Sequence, residues 1–342
     1  MHFAPTDEQQ QFIETISAVL KNFSSPEALR KVAEDSNNRI PGLWETLSET
    51  GIFGLCVSEK YGGLGIGNYE LVLALEEFGR AGCSEPILEH AAVAAPIISR
   101  WAPEPMASEW LERSLTGEIL LTAGFPFEKR VVASDRADLL LLCQENELHV
   151  VSPKDVIQTQ SISIDSLHKS NSVEWSPSPT TLIADSPEAV EDLINRGALA
   201  SAAQSIGVAQ QLLDMTVSYV KEREQFGKPV GTNQAVKHHC SNMAIAIEFA
   251  RPVIQVASWA LTKERSPTKN FSVSGEVSAA KALASEAVDL ACRLALQCHG
   301  AIGYTVEYDL QIWMKRGWTL SSSWGDGLFH RRRLAKVIGL EK

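Results

Sequence analysis

The chain has 342 residues, enough for about two domains and a sizeable buried core. Its 31 Lys and Arg against 42 Asp and Glu give a net charge of −11, which argues against nucleic acid as the main partner. Six cysteines (56, 83, 143, 240, 292, 298) contain no CxxC pair, so they read as small buried hydrophobes in a reducing compartment. The opening MHFAPTDEQQQF has no apolar run of the signal-peptide kind, and no uncharged apolar stretch has the length of a membrane span. A cytoplasmic protein is the expectation.

Residues 1–117 predict helices. Thr6 and Gln9 have capping-box spacing just after Pro5, and Phe12, Ile13, Ile16, Val19 and Leu20 follow near one face. A second helix is expected over 41–50, stopping at Gly51. EKYGGLGIGN (59–68) is a Gly-rich loop, NYELVLALEEFGRAG (68–82) is helical again, and 87–101 is apolar almost all round, the mark of burial on several sides. Residues 118–182 change to β-favouring runs, with turns at SDR and QENE and an edge strand at the end of WSPSPTTLIAD; no cradle for a ligand is evident there. From 183 onward the pattern is helical: 185–221, 232–264 with Pro252 bending or dividing it, a corner at RSPTKN, then 272–298, 308–322 and 326–338. Frequent Ala, Ser and Gly allow close approach of these helices, so a four-helix bundle is expected. The fold class is mostly α with a small β insert.

Two corners of this bundle could carry chemistry. In REQFGKPVGTNQ (223–234), Arg223 can grip a phosphate or carboxylate, Phe226 can cover a planar ring, and Gln234 can hydrogen-bond a base edge at a helix start. The same letters also make a tight corner with an ion-paired Arg. In LQCHGAIGYTVEYDL (296–310), Gly300 and Gly303 supply turn conformations against which a phosphate could lie, or simply a helix cap. His238 and His239 are adjacent and point about 100° apart on a helix, so no metal site is expected. His330 with Arg331–Arg333 reads as a solvated or interface face, and Trp313 and Trp318 as bundle core or interface.

Taken together, EKYGGLGIG (59–67), Arg196 at the opening of the first long C-terminal helix, REQFGKPVGTNQ, QCHGAIGYTVEYDL and MKRGW…HRRRLAKVIG (314–339) resemble the acyl-CoA dehydrogenase family. The resemblance implies an N-terminal helical domain (1–117), a reduced middle β domain (118–182) and a C-terminal four-helix bundle (183–342). It implies FAD and the oxidation of an acyl-CoA thioester to the 2,3-enoyl form. Arg223, Phe226, Gln234, Gln297, Gly300 and Ala301 would hold the diphosphate and adenosine end of a flavin housed mainly in the neighbouring subunit.

The departures from the family are as informative. Trp324 stands where most members carry the Glu that removes the α-proton, and Asn195 stands where others place it, before Arg196. Asp326 is the nearest acid, with shorter reach, and Glu224 is a distant second candidate for the base. The family's TEPxAGSD segment, which holds the isoalloxazine ring, corresponds to LTAGFPFEKR (121–130), and the W-x-T/S-N-G segment is missing. The resemblance therefore implies a subunit of a heteromeric enzyme, an α2β2 assembly with a full-length dehydrogenase chain that carries the base. A bulky steroid-CoA is the implied substrate class, and an electron-transfer flavoprotein the implied acceptor. The alternatives are a self-sufficient homo-oligomer with a displaced base, Asp326 first, and a scaffold subunit without flavin.

Overall fold

The computed structural model describes residues 3–35, 38–267 and 271–340. Helices α1 (Asp7–Phe23), α2 (Pro26–Glu34), α3 (Leu43–Glu49) and α4 (Asn68–Ala81) open the chain. The capping box forms as its letters predict: Gln9 N–H donates to Thr6 Oγ1 at 3.3 Å, and Thr6 N–H to Gln9 Oε1 at 2.8 Å. The all-apolar run becomes a π-helical segment, Leu88–Ala94, continued by α5 (Ala95–Trp101) and followed by α6 (Glu104–Leu115). Helices α2 and α6 were not anticipated, because their apolar positions are few and diluted by charge. Every residue from Cys83 to Ile98 is buried, in line with the burial on several sides expected for 87–101, and only Ser99, Arg100 and Trp101 at its end reach the surface.

Strands β1 (Leu121–Ala123), β2 (Arg130–Val132), β3 (Leu139–Gln144), β4 (Glu147–Val151), β5 (Ile157–Gln160), β6 (Ser170–Glu174) and β7 (Leu182–Asp185) form two small sheets. One has the order β1-β3-β4-β7 with β1 parallel to β3, and β7 is its edge, as the Pro-broken run suggests. The other is β2-β6-β5 and antiparallel. Alternation along β3 sends Leu140 and Leu142 into a core shared with Val131 and Val173 of the second sheet, while Leu141 joins the main helical core.

Helices α7 (Pro187–Glu222), α8 (Gln234–Lys263), α9 (Val273–His299) and α10 (Leu310–Ser322) make the bundle, α11 (Gly327–Val337) packs on α9, and α4 packs on α7. A two-residue hairpin, β8 (Glu224–Gln225) with β9 (Lys228–Pro229), joins α7 to α8. Three expectations need correction. Pro252 does not divide helix α8, which continues through it as one helix. It is also long and apolar enough to cross a membrane, a reading missed because its few charges interrupt the apolar run. Those charges are used inside the fold: Arg251 of α8 pairs with Glu76 of α4 at 2.9 Å. Finally, two of the six free cysteines, Cys83 and Cys292, are buried, and the other four are half-buried. The corner predicted at 265–270 lies partly outside the described residues.

Candidate functional site

The hairpin corner and the Gly-rich corner lie at one end of the bundle. Tyr219, one turn before Arg223, stacks on His299 with centroids 4.4 Å apart, and Tyr308 closes the cluster at 5.2 Å from the His299 ring. His299 Nδ1 lies 2.8 Å from Ala295 O, so that nitrogen carries the proton, and Nε2 is a buried acceptor without a partner among the described residues. Arg223, Gln234, Gln297, Gly300 and Ala301 are all exposed. Among the described residues, no hydrogen bond or ion pair engages the side chain of Arg223, Gln234 or Gln297, so the ion-paired reading of Arg223 fails. Glu224 is also exposed, on the short strand β8.

Phe226 is 100% exposed and has φ 53°, with Gly227 following at φ 78°. Two successive left-handed residues define the tight turn that suits the twist of a hairpin, and Asn-Gly is the pair that adopts it without strain. An aromatic residue in the first position is held there at a cost in backbone energy, with its ring directed to solvent. The sequence suggested an exposed ring here; it could not show the strain.

The other candidate position is the 321–327 segment. Trp324 is buried and lies flat against α7, where a Cβ at Gly197 would approach its ring to 2.0 Å; the glycine is what admits the indole. Phe125 meets Trp324 edge-on at 5.9 Å and Phe329 at 5.6 Å. Asp326 caps α11, its Oδ1 accepting from Phe329 N–H at 2.7 Å. Asn195 is buried, and Arg196 does not open α7 but sits in its third turn, with Nε 3.0 Å from Asp192 Oδ1. His330 is fully buried, not on a solvated face: Nε2 donates to Trp324 O at 2.9 Å and Nδ1 accepts from Ser278 Oγ at 3.2 Å. Arg331 and Arg332 alone carry the exposed character that HRRR suggested. Trp313 is core, donating to Arg80 O at 2.8 Å, and Trp318 is half-exposed.

Lys281 holds the same segment from below. It is fully buried, and its ammonium donates to Leu320 O at 2.7 Å, Ser321 O at 3.2 Å and Ser285 Oγ at 3.1 Å. Burial pushes its pKa down to about 7, opposed by Asp289 and Asp326. Above that pH the unfolded chain binds a proton that the folded chain does not, so stability rises with pH from about 7 until the unfolded lysine titrates near 10.4. Relative to Lys281→Met, the wild type is expected to gain up to about 1.4 kcal/mol per pH unit across that window. Urea titrations of both proteins at several pH values check this; parallel curves would refute it.

Between the β sheets and α10 lies a cleft of about 170 Å³, which corrects the expectation that the β region offers no cradle. Its walls include Phe125, Trp318 and Trp324, and Glu89 and His168 also line it. The sequence reading passed over Glu89. A lone acid in an otherwise apolar run was the available signal.

A helical region, a small β region and a long-helix bundle with an open polar corner make up the architecture that the resemblance implies. Residues 6–118 match the acyl-CoA dehydrogenase N-terminal domain and residues 188–338 the C-terminal domain. The chain is 30% identical over 315 residues to the acyl-CoA dehydrogenase IpdE2 of Mycolicibacterium smegmatis, covering 91% of this chain and 92% of that one. The chain belongs to the acyl-CoA dehydrogenase family, oxidoreductases acting on CH–CH groups. Among solved structures, the ChsE4-ChsE5 complex from Mycobacterium tuberculosis shares the fold with a TM-score of 0.88 at 21% identity, over 100% of both chains. The Tcur3481-Tcur3483 steroid ACAD gives 0.87 at 23% identity, over 98% of both.

Proposed function

We propose that this chain is a subunit of an FAD-dependent, heteromeric acyl-CoA dehydrogenase that lends contacts to the adenine end of a flavin across a subunit interface. The observation that carries the reading is the exposed corner: among the described residues the side chains of Arg223, Gln234 and Gln297 make no hydrogen bond or ion pair, and Phe226 is held in a strained turn that presents its ring outward. Arg223 would hold a diphosphate, Phe226 would cover the adenine, and Gln234 and Gln297 would supply amide contacts. FAD, when bound, supplies the hydride acceptor for desaturation of the thioester. The residues of the chain's own cleft do not fit the flavin ring. Trp324 stands at the position of the base, and about 170 Å³ is below the roughly 300–1,000 Å³ of pockets that enclose a sizeable ligand.

The α-proton is therefore assigned to a carboxylate on a full-length partner chain, in an α2β2 assembly. Neither the buried indole nor Asn195 can accept it, and Asp326 is committed to capping α11. The two-chain ChsE4-ChsE5 complex supports a heteromer, and the steroid ACAD supports a steroid-CoA substrate. An electron-transfer flavoprotein would accept the electrons, and a cytoplasmic location suits this role. The test is flavin absorbance per chain, for the chain purified alone and together with a full-length dehydrogenase encoded beside it. Flavin is expected only in the mixed assembly; stoichiometric FAD in a stable homodimer of this chain would sink the proposal.

A further inference from the structure

Two of the six cysteines, Cys240 and Cys298, are half-buried and stand together. Helices α8 and α9 follow one another through a short connection and pack side by side, so the start of α8 meets the end of α9. Cys240 lies in the second turn of α8, and Cys298 is the penultimate residue of α9. Their side chains meet there in hydrogen-bonding contact. The other four thiols stand apart. Cys56 turns to Gly67 O at 3.2 Å, Cys143 to Glu145 O at 3.5 Å and Cys292 to Met314 O at 3.7 Å, and Cys83 is buried.

The contact is polarised, and one side of it is open. Burial raises both thiols above their ordinary value, Cys298 to about 11. The hydrogen bond between them acts in opposite senses, lowering Cys240 and raising Cys298. Cys298 is thus the donor, and Cys240 carries the sulfur that gives up its proton first. Cys240 also lines a groove between α7 and α8, together with Ser218 and Lys221 of α7, whereas Cys298 does not reach it. Lys221 is exposed and makes no ion pair among the described residues, while Asp214 on the same wall is taken up by Arg80 at 2.8 Å. The groove therefore offers a small anionic reactant an ammonium group and one open sulfur.

We propose that Cys240 and Cys298 form a reversible dithiol–disulfide site whose reactant is a small anionic disulfide of the glutathione kind. The Cys240 thiolate attacks one sulfur of the reactant, whose S–S bond breaks, and the first reactant thiolate leaves. Cys298 loses its proton and attacks the Cys240 sulfur, the mixed disulfide breaks, and the second thiolate leaves. The two cysteines give up two electrons and two protons, and the small disulfide takes up both as two thiols. Proximity makes the second step intramolecular and favours ring closure over a standing adduct. The bond fastens the end of α9, which carries Gln297, to the start of α8, which carries Gln234. Both sulfurs belong to this chain, so the proposal does not rest on the heteromer reading.

The test equilibrates the full-length protein with reduced and oxidised glutathione in varied ratio, quenches with acid, and maps the cysteines by alkylation and peptide mass. Two of the six thiols are expected to disappear together, joined as one Cys240–Cys298 peptide pair, and to return with dithiothreitol. Half-conversion is expected where the square of the reduced concentration divided by the oxidised concentration is about 10 mM or higher. Cys298→Ser keeps the attacking sulfur and loses the resolving one, so it should stop at a glutathione adduct on Cys240. Cys240→Ser should take up roughly tenfold less glutathione, because Cys298 has no opening on the groove. Lys221→Glu should slow the first step about tenfold at low ionic strength. Six free thiols at every ratio, a disulfide through any other cysteine, an adduct on Cys240 that Cys298 never displaces, or an unchanged rate in Lys221→Glu would overturn the proposal. None of these outcomes bears on flavin content per chain, so failure here is distinct from failure of the heteromer reading.

Discussion

Replacing Asp165 with Ala is expected to destabilise the protein by about 3–5 kcal/mol, the range found when one member of a buried ion pair is removed. Asp165 and Arg316 are 2% and 3% exposed, so solvent cannot stand in for the lost partner. Arg316 Nε donates to Asp165 Oδ2, and its Nη1 donates to Cys83 O at 2.7 Å. Asp165 Oδ1 accepts from Leu167 N–H at 2.9 Å. One carboxylate thus fastens the β5–β6 loop to α10, and through Arg316 to the end of α4. Ala leaves a buried guanidinium charge and an orphaned amide. Asn would keep an acceptor for Leu167 and lose less, about half as much. Asp165→Leu combined with Arg316→Met removes both charges and should recover most of the loss, because the pair's attraction roughly offsets its desolvation. Urea unfolding midpoints of the four proteins measure this; a single Ala variant within about 1 kcal/mol of wild type would show that the pair is not the fastening the contacts indicate.

The parts of this molecule that were legible in its sequence are those governed by local rules. The capped helix start at Thr6 follows from local rules, the helix starts expected at about 185 and 232 fall two residues short of those observed at Pro187 and Gln234, and the β3–β4 turn at Glu145 and Asn146 follows from turn chemistry. What stayed hidden depends on three-dimensional company. Lys281 looks like any lysine on an Ala-rich helix until the C-terminal carbonyls of α10 arrive beside it from 40 residues away. His330 was grouped with the arginines that follow it, yet a helix turns neighbours about 100° apart, and only this one faces Ser278 and Trp324. Glu89 vanished into an apolar run. The loop carrying Asp165 and His168 has no periodicity at all, so nothing local connects it to Arg316. Within the candidate corner the residue types were readable, but the left-handed backbone at Phe226 was not, since the sign of φ at a non-glycine residue leaves no mark in the sequence.

Replacing Arg223 with Ala is expected to weaken FAD retention in the assembled complex by roughly 30- to 1000-fold while leaving the melting temperature of the protein almost unchanged. The size follows from losing a charge-assisted contact to a diphosphate at a covered interface, on the order of 2–4 kcal/mol. The small effect on folding follows from the exposed position of Arg223, whose side chain makes no hydrogen bond or ion pair among the described residues. Phe226→Asn separates the two effects further: it relieves the left-handed strain at φ 53° and should hold or raise stability, yet it removes the ring offered to the adenine. Trp324→Glu provides the contrast. It places a carboxylate in the space the indole fills against Gly197 and Phe125, so it should damage packing and confer no turnover of its own, because the cleft does not accommodate a flavin ring. Flavin content after dilution to micromolar concentration and melting temperature, measured on the three complexes, separate the readings. Full flavin retention by Arg223→Ala, together with loss of turnover but intact folding in Trp324→Glu, would move the functional centre of this chain from the exposed corner to the 321–327 segment.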